Sequence, residues 1–174
     1  MDSYRKKICL IGDFAVGKTS LIRRYVDQQF KDEYLSTVGV KLSRKSLELK
    51  HRAISSPIQF KLVIWDLEGR TKFEAIAPNY LQGASGAIVV GALDRQATLL
   101  SLEQHAQLFL SVNPNQPVIV ALNKVDLILP NQQQALLDHS RNIVTSKVIS
   151  HQLTSAKTGE NVDRLFETLA RAWV

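Results

Sequence analysis

The stretch Gly12-Asp13-Phe14-Ala15-Val16-Gly17-Lys18-Thr19 fits the pattern G-x-x-x-x-G-K-[ST] at every fixed position. Its surroundings give the match physical content. Upstream, Lys7-Ile8-Cys9-Leu10-Ile11 reads as a short buried strand; downstream, Leu21, Ile22, Tyr25 and Val26 recur at helical spacing. Gly12 and Gly17 let the backbone wrap closely, so that its N–H groups and the positive end of the helix dipole converge on one point. Such a nest suits phosphate oxygens, and its lining would be Asp13, Phe14, Ala15, Val16, Gly17, Lys18, Thr19 and Ser20. Lys18 is expected to reach the outer phosphates of a nucleotide, and the Thr19 hydroxyl to ligate Mg²⁺. The competing reading is a glycine-containing turn that binds nothing, and the strand–loop–helix setting argues against it.

At 174 residues the chain fits one domain, 1–174, long enough to bury a substantial core. A hydrophobic content of 45% and a charged content of 22% match an ordinary globular protein. The one cysteine, Cys9, excludes an internal disulfide framework and suits a reducing compartment, so a cytoplasmic location is expected. Cys9 lies in the first apolar strand and reads as a small core residue. No apolar run approaches the length of a membrane span, and Met1-Asp2-Ser3-Tyr4-Arg5 lacks the character of a signal peptide. Asp2 stands where myristoylation requires glycine, and Arg171-Ala172-Trp173-Val174 offers no cysteine for prenylation. No covalent membrane anchor is expected, and membrane contact would be peripheral, through partners or charge. A monomer is expected.

The net charge of +6 gives a mild attraction to acidic surfaces. Part of it gathers at Lys41, Arg44, Lys45, Lys50, His51 and Arg52. A solvated edge hairpin whose lysines deter strand pairing explains these charges better than a docking face does. Nucleic acid is not an expected partner, because no aromatic residues are interleaved with them.

Apolar strands alternate with helical patterns along the chain. Residues 41–49 alternate like a strand with one wet face, and residues 58–65 form the expected hairpin partner across a loop containing Ser55-Ser56-Pro57. Ala87-Ile88-Val89-Val90-Gly91 and Val118-Ile119-Val120-Ala121-Leu122 are continuous apolar runs, as central strands buried on both faces require. Residues 147–153 read as a weaker final strand. One amphipathic helix is predicted from Leu99, Leu102, Ala106, Phe109 and Leu110, and another from Ala135, Leu136, Ile143 and Val144. Asn161 is expected to cap a last helix with Val162, Leu165, Phe166, Leu169 and Trp173 on one side. The order predicts an α/β fold of P-loop NTPase type. Its doubly wound, mainly parallel six-stranded sheet would carry strand 41–49 antiparallel at one edge and helices on both faces.

Three further motifs fall at strand ends, where ligands of such sheets bind. Trp65-Asp66-Leu67-Glu68-Gly69 closes the third strand; Asp66 would hold Mg²⁺ through a bound water, and the Gly69 N–H would meet the γ-phosphate. Asn123-Lys124-Val125-Asp126 follows the fifth strand. A carboxylate at Asp126 can accept both N1–H and the exocyclic amine of guanine, whereas adenine has no matching donor pair. Thr154-Ser155-Ala156-Lys157 follows the sixth strand, and the Ala156 N–H is expected to donate to guanine O6. Each motif is weak alone; four in this order, each after its own strand, form a strong joint signal.

With these motifs the chain resembles the Ras-like small GTPases, and their Rab branch most of all, over nearly its whole length. The resemblance extends to Phe30-Lys31-Asp32-Glu33-Tyr34-Leu35-Ser36-Thr37-Val38-Gly39-Val40, which is similar to the first switch, and to Asn79-Tyr80-Leu81-Gln82-Gly83-Ala84 at the end of the second. It implies a GTP/GDP molecular switch with Mg²⁺ and GTP hydrolysis as its activity. Lys18, Thr37, Gly69 and Arg70 would stand at the reacting phosphate, and Asn123, Lys124, Asp126, Ser155, Ala156 and Lys157 around the base. Phe30 would pack edge-on against guanine, and Tyr34 would cover the γ-phosphate. Thr37, through hydroxyl and carbonyl, would bind Mg²⁺ and that phosphate in the GTP state only. Effector or regulator proteins would bind segments 31–45 and 70–80.

Three departures bear on hydrolysis. The family usually places Gln after the glycine of D-x-x-G to orient the attacking water; this chain has Arg70, which has no acceptor. Phe14 stands where small residues are common, and its ring would crowd the γ-phosphate, the water and an incoming arginine. Glu68, in place of the usual Ala, adds a carboxylate near the phosphates. Slow intrinsic hydrolysis is therefore expected. The alternatives are a GTP-bound interaction module that does not cycle and an Arg70 that itself stabilises transition-state charge. A P-loop kinase or ATPase is disfavoured by the Asn123–Asp126 motif.

Overall fold

The computed structural model describes residues 3–31, 39–51, 53–54, 56–67 and 78–174. Its elements run β1 (Ser3–Gly12), α1 (Lys18–Asp27), β2 (Val40–Leu49), β3 (Ile58–Leu67), β4 (Gly86–Ala92), α2 (Gln96–Leu100), α3 (Leu102–Val112), β5 (Val118–Asn123), α4 (Pro130–Ile143), β6 (Ser150–Leu153) and α5 (Val162–Arg171). The six strands form one sheet in the order β2-β3-β1-β4-β5-β6. β1 runs parallel to β3 and β4, β4 to β5 and β5 to β6, while β2 pairs antiparallel with β3 at the edge. This is the predicted mainly parallel, doubly wound topology.

The pleat explains why the central strands are apolar without alternation. Ile8 and Leu10 of β1 enter the core shared with α1 and α5, whereas Cys9 and Ile11 enter the core shared with α3. Ile88 and Val90 of β4 divide from Ala87 and Val89 in the same way, so both faces are covered. On the α1–α5 side Phe166 stacks on Tyr25, with ring centroids 3.9 Å apart and 4° between planes. Trp173 closes that layer: its indole N–H donates to the Ser85 carbonyl at 2.8 Å.

Four local expectations need correction. The helix read through Leu99–Leu110 as one unit is two, α2 and α3, divided at Ser101. The Ser101 hydroxyl donates to the Ala97 carbonyl at 3.2 Å, a back-bond of the kind that bends helices. Strand β6 is confined to Ser150–Leu153, shorter than residues 147–153. Strand β3 continues to Leu67, two residues beyond the expected 58–65, and so includes Asp66. Asn161 occupies the N-cap position of α5 but makes no side-chain cap bond; it sits in the left-handed region (φ 57°), and its Nδ2 donates to the Leu153 carbonyl at 2.8 Å.

Candidate nucleotide-binding site

Every loop carrying a motif leaves the carboxyl edge of the sheet. The first follows β1. A Cβ on Gly12 would lie 2.4 Å from the Val90 carbonyl oxygen, so any side chain there would push the loop off its neighbouring strand. Ala15 (φ 58°) and Gly17 (φ 101°) then curl the chain through left-handed conformations into α1. Lys18 opens that helix with 6% of its surface exposed, and its Nζ donates to the carbonyls of Gly12 and Asp13, both at 2.8 Å. The lysine thereby closes the loop on itself. Burial lowers its pKa to about 8, against the opposing pull of Asp66 and Asp13, and the charge of Arg95 acts in the same direction as burial.

Asp13 is turned toward α3. Its carboxylate accepts from His105 Nε2 at 2.8 Å, and His105 is fully buried. Burial alone would raise the Asp13 carboxyl, but the hydrogen bond from His105, with the charges of His105 and Lys18, holds it below its ordinary value. Phe14 is 41% exposed, and its carbonyl accepts from the guanidinium of Arg95 in the turn after β4. Val16 is buried, and Ser20 lies half-buried on the first turn of α1.

The two described metal-ligand candidates meet. The Thr19 hydroxyl donates to Asp66 Oδ2 at 2.5 Å, and Asp66 is buried at the end of β3. A hydroxyl and a carboxylate are hard oxygen donors, so the pair would suit Mg²⁺, Thr19 as a ligand and Asp66 through a bound water.

Across the sheet edge, Asn123 ties the loop after β1 to the loop after β6. Its Nδ2 donates to the Val16 carbonyl at 3.0 Å, and its Oδ1 accepts from the Ala156 N–H at 3.2 Å and the Thr154 hydroxyl at 3.3 Å. A Cβ on Gly17 would lie 2.2 Å from that same Nδ2, so the glycine is what lets the loop settle on Asn123. Ala156, expected to offer its N–H to guanine O6, therefore donates to Asn123 in this structure. The exposed Asp126 carboxylate accepts from the Ser155 hydroxyl at 2.6 Å, which fixes its direction. Lys124 adopts φ 69° and its ammonium meets Asp94 at 3.1 Å. Lys157 is exposed. Arg24 of α1 clamps the same loop, donating from Nε to the Ala156 carbonyl at 2.8 Å and from Nη2 to the Lys157 carbonyl at 2.5 Å.

Phe30 rests against the core beneath α1 and α5. Tyr34, Thr37, Glu68, Gly69 and Arg70 lie outside the described residues, as do Arg52, residues 32–38 of segment 31–45 and residues 70–77 of segment 70–80. On β2, Lys45 leans over the Tyr25 ring, 5.4 Å from its centroid, which leaves Lys41 and Arg44 as exposed basic residues of that strand. Sequence reasoning missed Arg24, Arg95 and His105. Each reaches a loop remote in sequence, with no local pattern to announce it.

The Ras family model matches residues 7–174. Among curated proteins, the "GTP-binding protein ypt5" of Schizosaccharomyces pombe is 33% identical over 170 residues, covering 95% of this chain and 76% of that protein. The "Ras-related protein Rab-1" of Theileria annulata is 30% identical over 174 residues, 97% of this chain and 74% of that protein. The "Ras-related protein Rab-22A" of Homo sapiens is 30% identical over 166 residues, 95% of this chain and 81% of that protein. The chain belongs to the Ras family of small GTPases, nearest its Rab branch.

Proposed function

We propose that residues 1–174 act as one guanine-nucleotide-binding domain, a GTP/GDP switch whose hydrolysis step is slow. The observation that carries this reading is the Asn123 bridge, which locks the phosphate loop at Val16 to the base loop at Ala156. Phosphate and base recognition are thereby held at a fixed separation, as one nucleotide requires. Lys18 balances the charge of the outer phosphates, helped by the loop amides from Asp13 to Ser20 and the dipole of α1. Asp126, steadied by Ser155, accepts from the two donors of guanine, and Lys124, Ala156 and Lys157 complete the surround of the base with Phe30. Thr19, Asp66 and Thr37 would hold Mg²⁺, which supplies charge neutralisation across the outer phosphate oxygens.

The switch itself rests on Tyr34, Thr37 and Gly69, which would engage the third phosphate and release it once it is cleaved. Effectors or regulators would read that difference along 31–45 and 70–80. Slowness rests on two residues. Arg70 has no acceptor with which to align a water, and Phe14 stands at the mouth of the cradle with its carbonyl held by Arg95. An arginine supplied by a partner is worth roughly 10³–10⁵ in this reaction class, and Phe14 obstructs its approach.

Single-turnover hydrolysis of GTP, followed by separation of the nucleotides, tests the reading. Slow conversion, accelerated in Arg70→Gln, is the expected result; a wild-type rate equal to that of glutamine-bearing relatives refutes the slow step. A protein that retains GTP without any conversion would instead be the static interaction module.

A further inference from the structure

We propose that Arg95 supplies, from within the chain, a cation to the outermost phosphate of a bound triphosphate, and so biases the site toward GTP over GDP. The inference rests on the nucleotide-binding reading above and concerns a residue that lies in none of the four motifs. Arg95 follows β4 and precedes α2, at the sheet edge from which the phosphate loop also emerges. Its backbone is fixed: the N–H donates to the Ala92 carbonyl at 3.0 Å, and its carbonyl accepts from the Thr98 N–H at 3.1 Å and the Thr98 hydroxyl at 2.7 Å. Thr98 is itself buried. A rigid base thus carries an exposed, long side chain.

That side chain reaches over the phosphate loop and bonds the Phe14 carbonyl. Phe14 directly follows Asp13, whose carbonyl accepts from Lys18 Nζ, so two cations grip neighbouring carbonyls of one loop. Like charges held together this way suit an anion rather than each other. The carboxylates nearby are otherwise engaged: Asp13 with His105, and Asp94 with Lys124. Among the described residues, Arg95 has no carboxylate within ion-pair distance.

A guanidinium resting on a neutral carbonyl gains by turning to a phosphate oxygen, because the acceptor then carries the opposite charge and the planar fork matches phosphate geometry. GDP lacks the group that would attract it.

The test is equilibrium binding of fluorescent GDP and of a fluorescent non-hydrolysable GTP analogue, with Mg²⁺, to wild type, Arg95→Ala and Arg95→Lys. In Arg95→Ala the analogue should lose about tenfold in affinity, the scale of one charge-assisted hydrogen bond, while GDP stays within about twofold. Arg95→Lys, which keeps charge without the fork, should fall between. An unchanged analogue-to-GDP ratio in Arg95→Ala overturns the inference, as does an equal loss for both nucleotides, which would make Arg95 a brace for the loop. Wild type binding neither nucleotide would instead overturn the nucleotide-binding reading itself.

Discussion

Replacing Asn123 with Ala removes the tie between the two halves of the site. Asn123 is only 2% exposed, and its amide holds the Val16 carbonyl, the Ala156 N–H and the Thr154 hydroxyl. Each bond is worth about 1 kcal/mol net, so losing all three costs about 3 kcal/mol before any water enters the space. For a chain of this size 1 kcal/mol moves the melting temperature by about 2–4 °C, so a drop of about 6–12 °C is expected in nucleotide-free protein. The same change frees the phosphate loop from the base loop. Affinity for GDP should then fall about 100-fold, equivalent to about 2.7 kcal/mol. Circular dichroism melts and fluorescent-GDP titration measure the two effects separately. A melting shift below about 2 °C together with unchanged GDP affinity would refute the view that Asn123 joins the loops.

Gly17→Ala puts a methyl group 2.2 Å from Asn123 Nδ2 at φ 101°, and should abolish GDP binding while lowering stability by about 2 kcal/mol or more, a loss that chemical denaturation would measure. Arg24→Ala removes both clamps on the Ala156–Lys157 loop; GDP affinity should fall about tenfold and discrimination against ATP should narrow, as a competition titration would show. Lys18, with its pKa lowered to about 8, must be protonated to grip phosphate. As pH rises through that value the free protein loses the proton that the complex needs, so GDP affinity should decline above about pH 8 and approach a tenfold loss per pH unit. Titrations between pH 7 and 9 that give a flat affinity would contradict this.

Local features carried most of what could be read in advance. The glycine-lysine loop announces itself because a phosphate nest needs adjacent residues, and β4 and β5 read as central because burial on both faces leaves no polar positions. The positions of Asn123–Asp126 and Thr154–Lys157 after their strands were legible for the same reason, although not the bond by which Ala156 N–H serves Asn123. What escaped depends on distance in sequence. His105 meets Asp13, Arg24 meets Ala156 and Arg95 meets Phe14 across 92, 132 and 81 residues. Nothing local to His105 distinguishes it from a core residue of α3. The division at Ser101 was hidden because apolar spacing runs on through both helices, and a hydroxyl back-bond to Ala97 accompanies the break. Asn161 misled for a related reason: its side chain prefers the Leu153 carbonyl to the helix amides.

Base selection by one carboxylate, over a phosphate cradle built around Lys18, is the centre of the proposal. Calorimetric titration of nucleotide-free protein with GDP and with ADP, in Mg²⁺, measures it most directly when run on wild type and Asp126→Ala. Tight binding of GDP, weak binding of ADP and loss of that preference in Asp126→Ala are expected. Equal heats for the two diphosphates in the wild type, or a guanine preference that survives in Asp126→Ala, would contradict it.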